Sequence, residues 1–560
     1  MFHVARNSPA SDFIKPLRAV EPLPNDTLHP ATCTVMRLPT SLVAFSMALF
    51  VSALDITSRC DDPNIHLADI PGTKLFGKTA ELVENVNFTS WSAQSMVISN
   101  ITLNVCNVTI NYGHIGWHDN ITVTIWLPLR DWNHRLSGVG GAGMASLAGY
   151  GTLGSAVDRG YAAVGTDAGH EMDPLNADSW ARDESGRVNF FLLQNFFAIS
   201  QHEAAIIAKR VIHDVYQKDP EYSYWNGCST GGRQGLMLAQ RYPGTYDGIL
   251  AGAPAINWAT FVPVMYYPQF VMNQLNHYPK MCVLSAIVDA AVEACDELDG
   301  VKDGILSLPN ECHFDPSQMV GKQVKCEDDK VTVSEKDAQL VRMVWDGPKH
   351  KDGTPIWYGM NRGASFIDLA NSACNGDRCQ GVPFGIASTW IQNFVLQNST
   401  ADLTALPEDG FGAVTNLSIS AYKSVTSTDN PDLRDFRESG GKLLHWHGMQ
   451  DQEIFIQGSE NYYQRAEARD KHIRDFYRYF EAPGVGHCGG DGLVPNDPLA
   501  ALVDWVERGV APDHLAATTG DGKQKRNLCP YPLVPSYLGG DFTKASSYEC
   551  KKHYKKLWKE

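Results

Sequence analysis

Tyr222-Ser223-Tyr224-Trp225-Asn226-Gly227-Cys228-Ser229-Thr230-Gly231-Gly232-Arg233 runs directly into the helix-forming stretch Gln234-Gly235-Leu236-Met237-Leu238-Ala239-Gln240-Arg241. The first five residues read as a short strand, the run after Gly232 reads as a helix, and Gly227 to Gly231 between them matches G-x-S-x-G. The context matters more than the pattern. A nucleophile elbow needs glycines because the serine sits on a strained turn crowded by strand and helix, which lifts its Oγ above the sheet. The alternative is a serine in an ordinary structural turn. A strand, a sharp turn and a helix in this order predict an α/β protein with Ser229 as its candidate nucleophile.

Serine is a weak nucleophile at neutral pH, so a base and an orienting acid should follow it in the order Ser, Asp, His. After the strand-like run Lys442 to Trp446 comes His447-Gly448-Met449-Gln450-Asp451, which places Asp451 on a loop at a strand end. After the next such run, Phe476 to Phe480, comes Pro483-Gly484-Val485-Gly486-His487, which places His487 on the following loop. Both loops belong at the carboxyl edge of one parallel sheet, where open α/β sheets collect their ligands. His487 would take the Ser229 proton and return it to the leaving alkoxide, while Asp451 fixes the imidazole tautomer and stabilises the imidazolium. The competing reading is a surface histidine and a loop aspartate. His445 and His447 form His-x-His at a strand end, but without a third ligand nearby they read as a half-buried strand residue and a loop residue rather than a metal site.

Working outward, Asn107 to Trp126 alternates β-formers with polar residues, as paired half-buried strands do. Leu136 to Gly154 is dense in glycine and small residues, Gly160 to Gly165 holds a short buried strand, and Phe196 to Val215 has helical periodicity. The rhythm is lost from about 257 to 432, where cysteines, prolines and loop residues gather, and this stretch reads as an inserted lid domain. Strand and helix alternate again over Gly458 to Ala468, Phe476 to Phe480 and Pro498 to Arg508. The expected organisation is a core in two parts, 54–256 and 433–560, with the lid between them.

The chain has 560 residues and 47 Lys+Arg against 63 Asp+Glu, giving a formal charge of −16. Its 13 Trp, 21 Tyr and 22 Phe supply a large core and exclude a disordered chain. The acidic balance weighs against nucleic acid as a partner, because phosphate backbones are held by Lys and Arg. The basic run Lys551 to Lys559 reads as a solvated tail.

At the N-terminus, 1–35 is polar and aperiodic and reads as an extension of the gene model or as disordered. Met36 then opens a secretory signal over 36–53: Arg37 is the positive n-region, Leu42 to Val51 the apolar stretch, and Val51-Ser52-Ala53 the cleavage point. The mature chain would start near Leu54, with no membrane anchor, since the apolar run is shorter than the roughly 20 residues a bilayer span requires. Of 13 cysteines only Cys33 precedes this point, and the remaining even set implies disulfides in an extracellular protein. Sequons at Asn87, Asn100, Asn107, Asn120, Asn398 and Asn416 fit glycosylation of such a chain.

Cys228 directly precedes Ser229 and Cys488 directly follows His487. A disulfide between them would hold two distant loops in catalytic register, the preorganisation that positioned groups need. Cys-Ser, then Asp, then His-Cys resembles the signature of the fungal tannase and feruloyl esterase family of secreted α/β-hydrolases, and the likeness runs from about Cys60 to Cys550. It implies an α/β-hydrolase fold with a large inserted lid. Asp296, Asp299 and Asp303, interspersed with Gly300 and Gly304, suit a tight loop around a hard cation. This loop is similar to the family's calcium site in the lid, which implies backbone carbonyls of Val301 and Ile305 as further ligands and a structural Ca2+.

The oxyanion formed on attack needs two donors, one being the N–H of Thr230. The run Gly138 to Gly143 resembles the family's glycine loop, with Ala142 interrupting it, and so implies Gly140 or Gly141 as the second. The likeness, with proximity in sequence, implies the pairs Cys60 with Cys106, Cys228 with Cys488, Cys282 with Cys295, Cys312 with Cys326 and Cys529 with Cys550, leaving Cys374 and Cys379.

The resulting expectation is a secreted serine carboxylic ester hydrolase that forms an acyl-enzyme on Ser229. Its substrates would be small aromatic esters, gallates or hydroxycinnamates, or such esters on plant cell-wall polysaccharide. Three alternatives share the fold: an acyltransferase, an esterase acting on a fungal secondary metabolite, and a non-catalytic binding protein. The intact Ser229, Asp451 and His487 argue against the last.

Overall fold

Alternation of buried and exposed residues early in the chain and buried β-branched or small residues later build one nine-stranded sheet. In this computed structural model the described residues are 56–66, 68–91, 98–327, 329–375 and 378–552. The chain divides into two units, Met1–Ser52 and Ala53–Glu560, and all the described residues belong to the second. The expected signal segment 36–53, the segment 1–35 and the start near Leu54 lie outside the described residues.

The strands are β1 (Thr73–Trp91), β2 (Ile98–His114), β3 (Ile121–Pro128), β4 (Arg135–Val139), β5 (Ala162–Thr166), β6 (Tyr222–Cys228), β7 (Gly248–Gly252), β8 (Lys442–Gly448) and β9 (Tyr477–Ala482). Their order across the sheet is β1-β2-β3-β5-β4-β6-β7-β8-β9. The first three strands pair antiparallel, as does β3 with β5, and every pairing from β5 to β9 is parallel. The carboxyl ends of β6, β8 and β9 therefore open on one edge, the edge from which the Ser229, Asp451 and His487 loops leave. Strand β7, Gly-Ile-Leu-Ala-Gly, carries no alternation because both of its faces are covered, and its short apolar run between glycines gives no separate signal in the sequence.

Helix α1 (Ser200–Tyr216) packs its apolar stripe on β3 and β5, and helix α2 (Thr230–Arg241) follows the elbow. Arg233 of α2 is fully buried. Its guanidinium donates to the carbonyl of Phe197 at 3.0 Å and lies 4.6 Å from the centroid of that residue's ring, which fastens the elbow helix to the turn before α1.

The chain leaves the sheet after Gly252 and returns at Lys442, and the expected insertion, 257–432, falls within this excursion. Its core is continuous with that of the sheet domain: Trp258, Phe261, Trp390 and Phe394 join Trp180, Phe196 and Phe197 in one apolar cluster. Among the described residues no helix is long and apolar enough to cross a membrane.

Six disulfides are formed among the described residues: Cys60–Cys106, Cys228–Cys488, Cys282–Cys326, Cys295–Cys312, Cys374–Cys379 and Cys529–Cys550. Two expected pairs are corrected. Cys282 and Cys295 lie near opposite ends of one helix, α3 (Met281–Cys295), which at about 1.5 Å rise per residue holds them about 20 Å apart. A disulfide needs Cα atoms within about 7 Å. Each therefore bonds to a different later segment, Cys282 to Cys326 at the end of the short strand Gln323–Cys326 and Cys295 to Cys312. Of the six sequon asparagines, Asn87, Asn100, Asn120, Asn398 and Asn416 are exposed, while Asn107 is half-buried in β2 with its Oδ1 buried.

Candidate active site

Ser229 stands between β6 and α2 with φ 62° and ψ −124°, a left-handed conformation that a non-glycine residue holds only under constraint. Its N–H donates to the carbonyl of Gly252 at 3.0 Å. The flanking glycines are required by crowding: a Cβ on Gly227 would lie 2.5 Å from the backbone of Gly231, and one on Gly140 would lie 2.4 Å from the Cα of Gly231. The G-x-S-x-G pattern is thus the sequence trace of three backbone segments in contact.

The three residues expected to act together meet here. His487 Nε2 is 2.9 Å from Ser229 Oγ, and its Nδ1 is 2.9 Å from Asp451 Oδ2. The His487 side chain is 12% exposed and that of Asp451 is 0% exposed. The Cys228–Cys488 disulfide, with Cα atoms 6.1 Å apart, ties the residue before the nucleophile to the residue after the histidine. Gln452 Oε1 accepts the His487 backbone N–H at 3.1 Å and fixes the loop from the other side.

Asp451 is held by more groups than a serine–histidine–aspartate array needs. Its Oδ1 accepts the backbone N–H groups of Glu453 and Ile454 at 2.9 and 2.8 Å, and its Oδ2 also faces His447 Nε2 at 3.1 Å. His447 Nε2 lies 2.9 Å from the Ile454 carbonyl as well, so that nitrogen faces two acceptors and must carry the hydrogen. Its Nδ1 meets Ser459 Oγ at 2.8 Å. Read from the sequence as a plain loop residue, His447 is a second imidazole on the Asp451 carboxylate. Its position four residues before Asp451 is the signal that points to it.

Burial alone would raise the Asp451 carboxyl, but the positive charge of His487 and hydrogen bonds from both imidazoles hold it well below the ordinary carboxylate range. For His487 burial favours the neutral ring, and the charges of Asp451 and Glu453 outweigh it, lifting the imidazole to about 9. Glu453 Oε2 is 3.6 Å from His487 Nε2. Sequence reasoning missed this carboxylate, although it stands only two residues after Asp451.

The site opens into a cavity of about 960 Å³. Its wall includes the glycine loop, Leu175, Phe384 and Ile386, and the carboxylates Asp368 and Glu453. Thr230 is the first residue of α2, where a helix start leaves N–H groups without intrahelical acceptors. In the glycine loop the amide hydrogens have partners: Gly140 N–H donates to Asn226 O at 3.1 Å and Gly141 N–H to Gln234 Oε1 at 2.9 Å. For either glycine to meet an oxyanion, that hydrogen bond must open. Thr230 Oγ1 donates to the Gly143 carbonyl at 2.7 Å and pins the loop to the elbow.

The acidic loop Asp296 to Ile305 lies away from this cavity. Asp296 is buried and accepts the N–H groups of Asp303 and Gly304, Asp299 accepts that of Val301, and Asp303 accepts that of Ile305. Burial raises the Asp299 carboxyl, and the neighbouring Asp296 adds to the rise. Asp303 Oδ2 is buried, makes no hydrogen bond and is met by the guanidinium of Arg526. Among the described residues no group of three or more His, Cys, Asp or Glu is arranged to hold a metal ion. The donor chemistry nevertheless suits a hard cation: three carboxylates against one guanidinium leave two negative charges uncompensated, the charge of one divalent ion.

Residues 106–551 match the family model described as tannase and feruloyl esterase. A probable feruloyl esterase of Arthroderma benhamiae is 40% identical over 523 residues, covering 90% of this chain and 97% of that protein. A tannase of Aspergillus oryzae is 28% identical, covering 92% of this chain and 96% of that protein. Among solved structures, the tannin acyl hydrolase from Aspergillus niger superposes with a TM-score of 0.80 at 29% identity, covering 90% of this chain and 96% of that one.

Proposed function

The chain belongs to the tannase and feruloyl esterase family and is a carboxylic ester hydrolase; from that premise we propose that Ser229, His487 and Asp451 hydrolyse an aromatic ester through an acyl-enzyme on Ser229. The observation that carries this reading is the continuous hydrogen-bonded line from Ser229 Oγ through His487 to Asp451, closed by the Cys228–Cys488 disulfide. Ser229 Oγ attacks the ester carbonyl while its proton passes to His487 Nε2, and Asp451 stabilises the imidazolium at Nδ1. The Thr230 N–H, at the positive end of α2, faces the oxyanion. The alkoxide leaves with the proton from Nε2. Water then repeats the sequence: its oxygen bonds to the acyl carbon, its proton goes to His487, and the bond from Ser229 Oγ breaks as the proton returns.

The apolar wall of Leu175, Phe384 and Ile386 supports an aromatic acyl group. Hydrolysis of methyl gallate against methyl ferulate, caffeate and p-coumarate tests the reading. Cleavage of at least one of them is expected, and the preferred acid names the activity. If none is cleaved, the aromatic-ester assignment fails.

Secretion completes the proposal. Six disulfides suit an oxidising compartment, the Met36 signal would direct export, and the exposed asparagines would carry glycans. The excursion between β7 and β8 serves as the lid over the cavity. In it, Asp296, Asp299 and Asp303 with the carbonyls of Val301 and Ile305 would hold a structural Ca2+, which neutralises the buried charge. EDTA should then lower the melting temperature of the purified protein by several degrees, a shift that Ca2+ but not Mg2+ reverses. A melting curve unmoved by EDTA rules the cation out.

A further inference from the structure

Hydrolysis ends by creating a carboxylic acid between Ser229 and His487. The acid gives its proton to the nearest base, so a carboxylate comes to lie against an imidazolium whose charge the site itself favours. Left alone, that ion pair would hold the product. The structure places a second carboxylate at the same nitrogen: Glu453 Oε2 is 3.6 Å from His487 Nε2, which is 2.9 Å from Ser229 Oγ. Glu453 is fixed by its place in the chain, because its N–H and that of Ile454 both donate to Asp451.

Behind it stands Asp368, half-buried in the cavity wall and 3.5 Å from the Gln452 amide whose oxygen holds the His487 backbone. The other charged groups on the wall are Asp158 and Arg159, and Arg159 is already paired with Asp497 at 2.9 Å. A product carboxylate therefore enters a site in which the unpaired charged groups other than His487 are negative.

We propose that Glu453, backed by Asp368, is an anion-excluding group that competes with the product carboxylate for His487 and so expels the acid and sets the site against anionic ligands. The inference rests on the acyl-enzyme reading of the site. Its consequence is a product affinity that varies with pH in a defined direction. The charged groups facing Glu453 are His487, Asp451 and Asp368. Burial is the main influence on its carboxyl and raises it to about 7, the two aspartates adding to the rise and His487 opposing it. Below that value Glu453 is neutral and the repulsion is absent; above it Glu453 is charged and the repulsion is present. An aromatic carboxylic acid stays ionised throughout this range.

The experiment is inhibition of methyl ferulate and methyl gallate hydrolysis by free ferulate and gallate at about pH 5.5 and about pH 8. The inhibition constant of the acid is expected to weaken about tenfold between the two, and Glu453→Gln should tighten it at pH 8 and reduce its dependence on pH. Asp368→Asn should show the same trend with a smaller change, which keeps the test open if Glu453→Gln does not fold. An inhibition constant independent of pH in the unaltered protein, or unchanged at pH 8 in Glu453→Gln, overturns the proposal. Absence of any ester cleavage, or turnover that survives Ser229→Ala, overturns the reading of the site beneath it.

Discussion

Ser229→Ala is expected to abolish turnover, by about 10⁴-fold to 10⁶-fold in kcat, while the protein stays folded. The loss is large because His487 and Asp451 have no nucleophile to serve once Oγ is gone, and the residues of such an array act as a unit. The fold should be spared: the side chain is half-buried at the tip of the elbow and its loss opens no core cavity. The strained backbone is held by the packing of Gly227, Gly231 and Gly140, which the substitution leaves in place. Steady-state hydrolysis beside a thermal melt checks both halves. Residual activity near that of the unaltered protein would remove Ser229 from the mechanism.

The second large effect is expected on breaking the bond between the two catalytic loops. In Cys228→Ala with Cys488→Ala, a cross-link closing 260 residues of chain is lost. The chain-entropy model puts such a loop at about 5 kcal/mol of stability, so the melting temperature should fall sharply. The more telling result is kinetic. At a temperature where the double variant is still folded, kcat should drop about tenfold or more with KM changed less, because the distance from His487 Nε2 to Ser229 Oγ is no longer fixed from both ends. Unchanged kinetics in the folded variant would mean that Gln452 and the Asp451 contacts suffice to place the histidine.

Much of the site could be read in the chain because its chemistry is written in adjacent residues. Gly227 to Gly231, Asp451 and His487 each follow a strand that the hydrophobic pattern reveals, and a parallel sheet sends all three loops to one edge. The disulfide beside them was legible for the same reason, since each cysteine neighbours a residue whose partner was already inferred. Where spatial partners are not sequence neighbours, reading failed. Cys282 and Cys295 are close along the chain and the family likeness pairs them, but the helix between them keeps them apart.

The strand Gly248–Gly252 gave no alternation because the sheet buries both its faces. His447 and Glu453 acquire their roles only through the turn after β8, which brings one onto Asp451 and the other onto His487. The partners of the Gly140 and Gly141 amides come from β6 and α2, and no spacing within the glycine run encodes them.

The pairing of β7 with β8 has a consequence for how this protein can change. Gly252, where the chain departs, lies at the carboxyl end of β7, and Lys442, where it returns, is the register partner of Gly248 at the other end of that strand. A segment whose two ends are both anchored on adjacent strands of the sheet can be lengthened, shortened or exchanged without moving the strands that carry the nucleophile, acid and base. Its freedom is limited at the seam where Trp258 and Trp390 interlock with Phe197. Relatives can therefore diversify what they accept through the excursion while inheriting the same reaction, provided those aromatic contacts are kept or replaced together.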